Sequence, residues 1–252
     1  MKKKNAYFPA YGSQLNLGTI KETIKNSFPE YDVKFLEKHF WRPLLVDDKH
    51  KFVYVPISKN ACTSIKNWYA KLQGDKEYTF EKSADFHTKQ GTKYNKIFYE
   101  NYFKFAIVRN PWERLLSAYK FKFLKKKDSP VPKINKKING NEKKTISFEQ
   151  FVKYVCHSKD KQCDVHWQPQ VNFLDDIKID YLGRMETLEK DLKEISKKIG
   201  VKIEIGKLNA SNKYDLNDHY TPLLAKKVEE RYKKDIKEFG YSLEETFEWV
   251  EI

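Results

Sequence analysis

Residues 103–123 read FKFAIVRNPWERLLSAYKFKF, and this stretch decides the fold. Phe103-Lys104-Phe105-Ala106-Ile107-Val108 is a β-type run that ends in a cation, Arg109. Asn110-Pro111 then opens a new segment with proline at the first helical position. Trp112, Leu115, Leu116, Tyr119 and Phe123 supply the apolar face of the helix that follows. A strand that passes directly into a helix is the repeating piece of α/β proteins, and ligands gather at that junction.

Two further units of the same kind flank it. Phe52-Val53-Tyr54-Val55-Pro56-Ile57 is a short β-rich run, and 60–72 follows with Ile65, Trp68, Tyr69 and Leu72 at helical spacing. Ile179 to Leu182 reads as a strand leading to a helix over Glu186–Ile199, closed by Gly200 as C-cap. Ser147-Phe148-Glu149-Gln150 is a capping box, and Thr221-Pro222 opens a helix running to about Phe239. The alternation predicts a single α/β, P-loop-like domain: a central, mainly parallel sheet flanked by helices, with its core over about 50–241. Between the units, 125–145 (KKKDSPVPKINKKINGNEKKT) holds eight lysines against Asp128 and Glu142, with no core pattern. It reads as a flexible basic insertion suited to an anionic partner.

Composition narrows the partners. The chain has 252 residues, with 49 Lys+Arg against 35 Asp+Glu for a net charge of +14. Such a balance attracts nucleic acid, acidic glycan, anionic lipid or a phosphate-rich cofactor, without choosing among them. The basic start MKKKNAYFPAYGSQLNLG has no apolar stretch behind it, and no later run approaches the length of a membrane span, so the expected location is the cytoplasm. Three cysteines, Cys62, Cys156 and Cys163, cannot all pair within one chain. Cys156, Cys163 and His166 lack the CxxC spacing and the fourth ligand of a zinc site, and no metal is expected.

The loop VPISKNACTSIKN, Val55 to Asn67, lies between a strand and a helix N-terminus, where unpaired backbone N–H groups and the helix dipole favour a phosphate. Lys59 adds a point charge, Thr63 and Ser64 add hydroxyls, and small Ala61 lets the backbone approach closely. The pattern GxxxxGK[ST] is absent, which separates this loop from those of nucleotide triphosphatases.

Taken together, VPISKNACTS and, about fifty residues on, FAIVRNPWERLLSAY resemble the paired cofactor motifs of the carbohydrate sulfotransferases that include the chondroitin, HNK-1 and heparan 2-O-sulfotransferases. The later blocks HWQPQ (166–170), DYLGRMETL (180–188), Tyr220, YKKD (232–235) and FGY (239–241) match in the same order. The resemblance implies transfer of a sulfuryl group from PAPS (3′-phosphoadenosine 5′-phosphosulfate) to a hydroxyl of a carbohydrate or glycan-like acceptor. It assigns the 5′-phosphosulfate to Lys59, Asn60, Ala61, Cys62, Thr63 and Ser64, with Cys62 contributing its backbone N–H, and the 3′-phosphate to Arg109 and Ser117, eight residues apart. Arg114 is a candidate second phosphate ligand; Arg184, Asn212 and Lys213 are candidate nucleotide contacts. Lys59 would donate to the leaving oxygen.

For the base that deprotonates the acceptor, two histidines are candidates: His87, between the cofactor segments where the heparan enzymes carry theirs, and His166 of the HWQPQ block. Trp41, Trp112 and Trp167 read as core. The eukaryotic relatives' membrane anchor and their cysteine pair after the His-Trp block have no counterpart here, as expected of a cytoplasmic bacterial member. The other classes compatible with these residues are a nucleic-acid- or polyanion-binding protein and a P-loop kinase.

Overall fold

A computed structural model of the chain describes residues 44–74, 99–126, 131–160, 163–175, 177–206 and 215–248. Its sheet has four strands: β1 (Leu45–Asp47), β2 (Phe52–Val55), β3 (Phe103–Val108) and β4 (Tyr181–Arg184), adjacent in that order. β1 runs antiparallel to β2, whereas β2, β3 and β4 are parallel, with Val55 opposite Ala106 and Val108 opposite Arg184. The three parallel strands therefore end at one edge, where the motif loops emerge.

Strand periodicity sorts the core. Phe52, Tyr54, Phe105 and Ile107 face helices α1 (Cys62–Leu72) and α5 (Leu188–Ile199), through Ile65, Trp68, Tyr69, Leu192 and Ile195. Val53, Val55, Ala106 and Val108 face the other way, onto Ile57, Ile177 and Phe239. Both faces are covered, so the strands read as nearly continuous apolar runs. β4 requires Gly183 for close approach: a Cβ there would lie 2.7 Å from Ile107 Cδ1 and 3.1 Å from Asp191 Cβ.

A second core is helical. It gathers Trp112, Leu115 and Leu116 of α2 (Pro111–Tyr119), Phe151 and Val155 of α4 (Phe148–Cys156), and Ala225 and Val228 of α6 (Pro222–Arg231). The capping box at Ser147 and the cap at Thr221 form as predicted, and Gly200 closes α5 with φ 69°.

Three expectations are corrected. The third strand lies two residues later than read, at Tyr181–Arg184, and a 3₁₀ turn over Met185–Thr187 precedes α5. The helix from Pro222 breaks at Tyr232 and resumes as α7 (Lys233–Phe239), before a short α8 (Leu243–Thr246). The buried Tyr232 hydroxyl donates to the Trp167 carbonyl at 2.5 Å, and that break turns Asp235 toward residue 170. Lastly, the basic insertion is not without core residues. Val131–Asn139 forms helix α3, which buries Val131, Ile134 and Asn135 at i, i+3 and i+4 while its lysines face solvent. No described helix is long and apolar enough to cross a membrane.

Candidate active site

The first β-loop-α junction is built as an anion cradle. Lys59 and Ala61 both take left-handed backbone conformations, φ 74° and 54°, which a non-glycine residue adopts only at a cost. After them α1 begins with no side-chain cap and no acidic residue in its first turn. The amides of Cys62, Thr63 and Ser64 are therefore left open by the helix geometry, on a half-buried, accessible turn. Asn60 is different. Its amide donates to the Ile57 carbonyl, and its buried side chain donates to the Ile107 carbonyl (2.9 Å) and to Gln170 Oε1 (2.7 Å). Asn60 shapes the cradle and presents no group to it through these contacts.

The second junction is closed. Asn110 Oδ1 accepts the amides of Trp112 and Glu113, capping α2, and Asn110 Nδ2 donates to Thr246 Oγ1. Pro111 at the next position has no N–H to satisfy. This explains the Arg-Asn-Pro order: the strand delivers Arg109, asparagine caps, and proline starts the helix. Arg109 is mostly buried and pairs with Glu113 through Nε (3.2 Å) and Nη2 (3.0 Å), with Nη1 3.5 Å from the Lys59 carbonyl. Ser117, two turns along α2, is half-buried.

Arg114, the candidate second phosphate ligand, is placed as a brace of the loop. It is buried, and its guanidinium donates to the carbonyls of Ser58 (3.0 Å), Gln168 (2.8 Å) and Val165 (3.2 Å). It clamps the cradle loop to the HWQPQ block. Gln170 of that block forms a second brace: its Oε1 accepts from Asn60 and from the Arg109 amide, and its Nε2 donates to the Arg109 carbonyl. Asp235, fully buried, accepts the amides of Gln170 and Val171 at 2.8 and 2.9 Å.

His166 comes to the cradle through this block. Its Nδ1 lies 2.5 Å from Asp164 Oδ1, so Nδ1–H donates to the carboxylate and Nε2 carries the lone pair. Burial lowers the His166 pKa, opposed by Asp164 and reinforced by Lys122 and Lys59. The imidazole stacks on Phe121 with ring centroids 6.1 Å apart, and Lys59 Nζ lies 4.0 Å from the centroid of that same ring. Burial lowers the Lys59 pKa to about 8, with Arg109, Arg114 and Lys122 among the charges pushing the same way. A neutral imidazole and an ammonium of reduced pKa thus share one aromatic ring, a pair suited to taking one proton and donating another.

Other candidates are placed elsewhere. The Arg184 guanidinium lies over the Tyr241 ring at 4.8 Å and donates to the Phe239 carbonyl. These contacts join the sheet edge to the end of α7 and the turn after it. Trp112 and Trp167 are core. His87, Trp41, Asn212 and Lys213 lie outside the described residues. Sequence reasoning missed Phe121, Asp164 and the Gln170–Asp235 brace; the only signal for the dyad was the D-x-H spacing of Asp164 and His166. Among the described residues, no three His, Cys, Asp or Glu side chains are grouped to hold a metal.

Known proteins are similar to this chain in sequence. Carbohydrate sulfotransferase 14 of Danio rerio is 29% identical over 62% of this chain and 48% of its own length. Carbohydrate sulfotransferase 11 of Rattus norvegicus is 27% identical over 75% of this chain and 62% of its own. Carbohydrate sulfotransferase 10 of Mus musculus is 30% identical over 77% and 62%, respectively. The chain thus spans about half to three fifths of the length of these relatives. No solved structure is matched with comparable significance. The sulfotransferase family model matches residues 42–242, from the approach to β1 through the end of α7, and with both motif loops inside that match the chain belongs to the sulfotransferase family.

Proposed function

We propose that this protein transfers a sulfuryl group from PAPS to a hydroxyl of a carbohydrate acceptor, without a metal. The observation that carries the reading is the meeting of Lys59 and the His166–Asp164 pair at one ring, Phe121, with the open amides of Cys62, Thr63 and Ser64 following Lys59 in the chain. Those amides and Lys59 fit the two linked, singly charged tetrahedral groups of a phosphosulfate, and Arg109 with Ser117 fits a second phosphate. The carbohydrate acceptor is supported by the names of the relatives.

The donor supplies an activated sulfur whose bond to a bridging oxygen breaks as the bond to the acceptor oxygen forms. His166 Nε2 takes the acceptor hydroxyl proton, and Asp164 holds the resulting imidazolium. Lys59 donates a hydrogen bond or proton where negative charge collects on the departing phosphate. The cradle amides and the buried cations stabilise that charge without rearranging, because the Arg114 and Gln170 braces already fix the loop.

The test is transfer of labelled sulfate from PAPS to a panel of glycans and small hydroxyl compounds in EDTA, with calorimetric binding of 3′,5′-diphosphoadenosine alongside. Label in a glycan fraction and magnesium-independent binding are expected. Magnesium-dependent ATP binding without diphosphoadenosine binding would instead indicate a kinase, and steeply salt-dependent DNA binding with neither nucleotide a polyanion-binding protein.

A further inference from the structure

Gln170 is fully buried, and its side chain bonds to both β-loop-α junctions at once. Oε1 accepts from Asn60 Nδ2 of the cradle loop at 2.7 Å and from the Arg109 amide at 3.1 Å, and Nε2 donates to the Arg109 carbonyl at 2.8 Å. Toward Arg109 the carboxamide thus takes the place of a neighbouring strand, pairing both backbone groups of the residue just beyond β3. Asn60, also fully buried, donates in addition to the Ile107 carbonyl. Two buried carboxamides therefore join the cradle loop to the end of β3.

Such a link has a fixed length only if Gln170 is itself held. Asp235, fully buried on α7, accepts the amides of Gln170 and Val171 at 2.8 and 2.9 Å, and Pro169 before them has its φ, −51°, set by its ring. The β2–β3 ladder ends with Val55 opposite Ala106, four residues before Lys59 and three before Arg109. Past that point the Arg114 bonds run from the cradle loop to residues 165 and 168. A direct contact between the junctions, Arg109 Nη1 to the Lys59 carbonyl, is 3.5 Å long and depends on a side chain. The bonds of Gln170 act on the Arg109 backbone, so they govern how far the start of that side chain stands from the cradle.

We infer that Gln170 is a positioning residue that sets the separation of the two anion sites, and so makes the protein select a nucleotide phosphorylated at both the 3′ and 5′ positions of one ribose. The inference rests on the sulfotransferase reading, in which the cradle takes one phosphate end and Arg109 with Ser117 the other. It goes further by assigning the spacing itself to one residue. A rigid ligand gains from two sites only when their spacing matches its own, and a mismatch forfeits the second contact. Gln170 touches neither phosphate in this role; it acts through Asn60 and the Arg109 backbone.

Gln170→Met keeps the length of the side chain and removes all three of its hydrogen bonds. Calorimetry with 3′,5′-diphosphoadenosine and with its 2′,5′ isomer compares two ligands that carry the same groups at different spacing. The parent should prefer the 3′,5′ isomer at least about tenfold. The variant should lose that preference, weakening the 3′,5′ isomer roughly ten- to hundredfold and the 2′,5′ isomer by less than about threefold. A role limited to holding the fold would weaken both in proportion and leave their ratio unchanged, which would overturn the inference. So would a parent that binds both isomers equally, or a variant that matches the parent on both. Thermal melting without nucleotide verifies folding. Gln170→Asn keeps the carboxamide but is one methylene too short to reach Asn60 and Arg109 together, and it carries the same expectation if the Met variant does not fold. If the parent binds neither isomer, the sulfotransferase reading itself falls; parental 3′,5′ binding with an unchanged ratio in the variants removes only this assignment.

Discussion

The two β-loop-α junctions use the same architecture in opposite ways. After β2 the loop bends through two left-handed residues and meets a helix with no cap, leaving backbone donors open. After β3 the chain meets Asn110-Pro111, and the helix N-terminus is satisfied from within. The first junction therefore offers backbone donors and the second a side chain, Arg109, already steadied by Glu113, and the proposed reading gives each one phosphate end of the donor. Parallel strands bring both to one edge; capping decides which becomes the anion cradle.

The largest effect expected from this contrast concerns chemistry at the open junction. His166→Ala should lower turnover by roughly 10²–10⁴ with diphosphoadenosine affinity near parental. The pH profile gives an independent check. With His166 as the proposed neutral base, its pKa lowered by burial, activity should persist below the ordinary imidazole range and fall as pH drops through that lowered value. With Lys59 as the proposed protonated donor, activity should decline as pH rises through about 8. Lys59→Arg should move that alkaline limb upward even if turnover suffers. A fully active His166→Ala would hand the base to His87 or to a carboxylate and leave the contrast between the junctions standing.

The next effect belongs to the side-chain junction. Arg109→Ala should weaken diphosphoadenosine about ten- to hundredfold while leaving adenosine 5′-monophosphate nearly unchanged, as read by calorimetry. Loss of both ligands would mean that Arg109 supports the cradle through its Lys59 carbonyl contact and has no phosphate of its own.

Smaller effects test the caps themselves. Asn110→Ala removes the α2 cap and the bond to Thr246, and urea denaturation should show a loss of about 1–2 kcal/mol. Nucleotide affinity should change less than about threefold, because a closed helix N-terminus holds no ligand. Collapse of binding at unchanged stability would break the comparison. Ala61→Gly relieves a left-handed conformation at some cost in unfolded-chain entropy, so stability should rise by up to about 1 kcal/mol. A marked stability loss would show that the Ala61 methyl packs in a way the conformational argument omits.

Much of the framework was legible because it is local. The apolar run into Arg109, proline at the start of α2, the capping box at Ser147 and Gly200 after α5 all act within a few residues, where propensity and periodicity operate directly. The α3 helix escaped because its three buried positions are diluted among lysines, and only packing against the helical core distinguishes it from a solvated loop. The strand at Tyr181–Arg184 shifted by two residues because its register is set by pairing with β3, a partner more than seventy positions away.

For the candidate site, the chain's own order of residues determines that a lysine, small residues and hydroxyls follow one strand, that an arginine ends the next, and that a histidine stands in HWQPQ. It does not determine which of these meet. Arg114, read as a phosphate ligand, clamps three carbonyls because burial leaves its donors no water and the backbone of residues 58, 165 and 168 supplies acceptors. Phe121 meets Lys59 and His166 from the π-helical segment, Lys120–Lys126, that follows Tyr119. Side-chain direction in such a segment depends on which hydrogen bonds the backbone closes, and that is decided by the packing of Phe123 and Tyr119 against Phe151, a residue nearly thirty positions further along the chain.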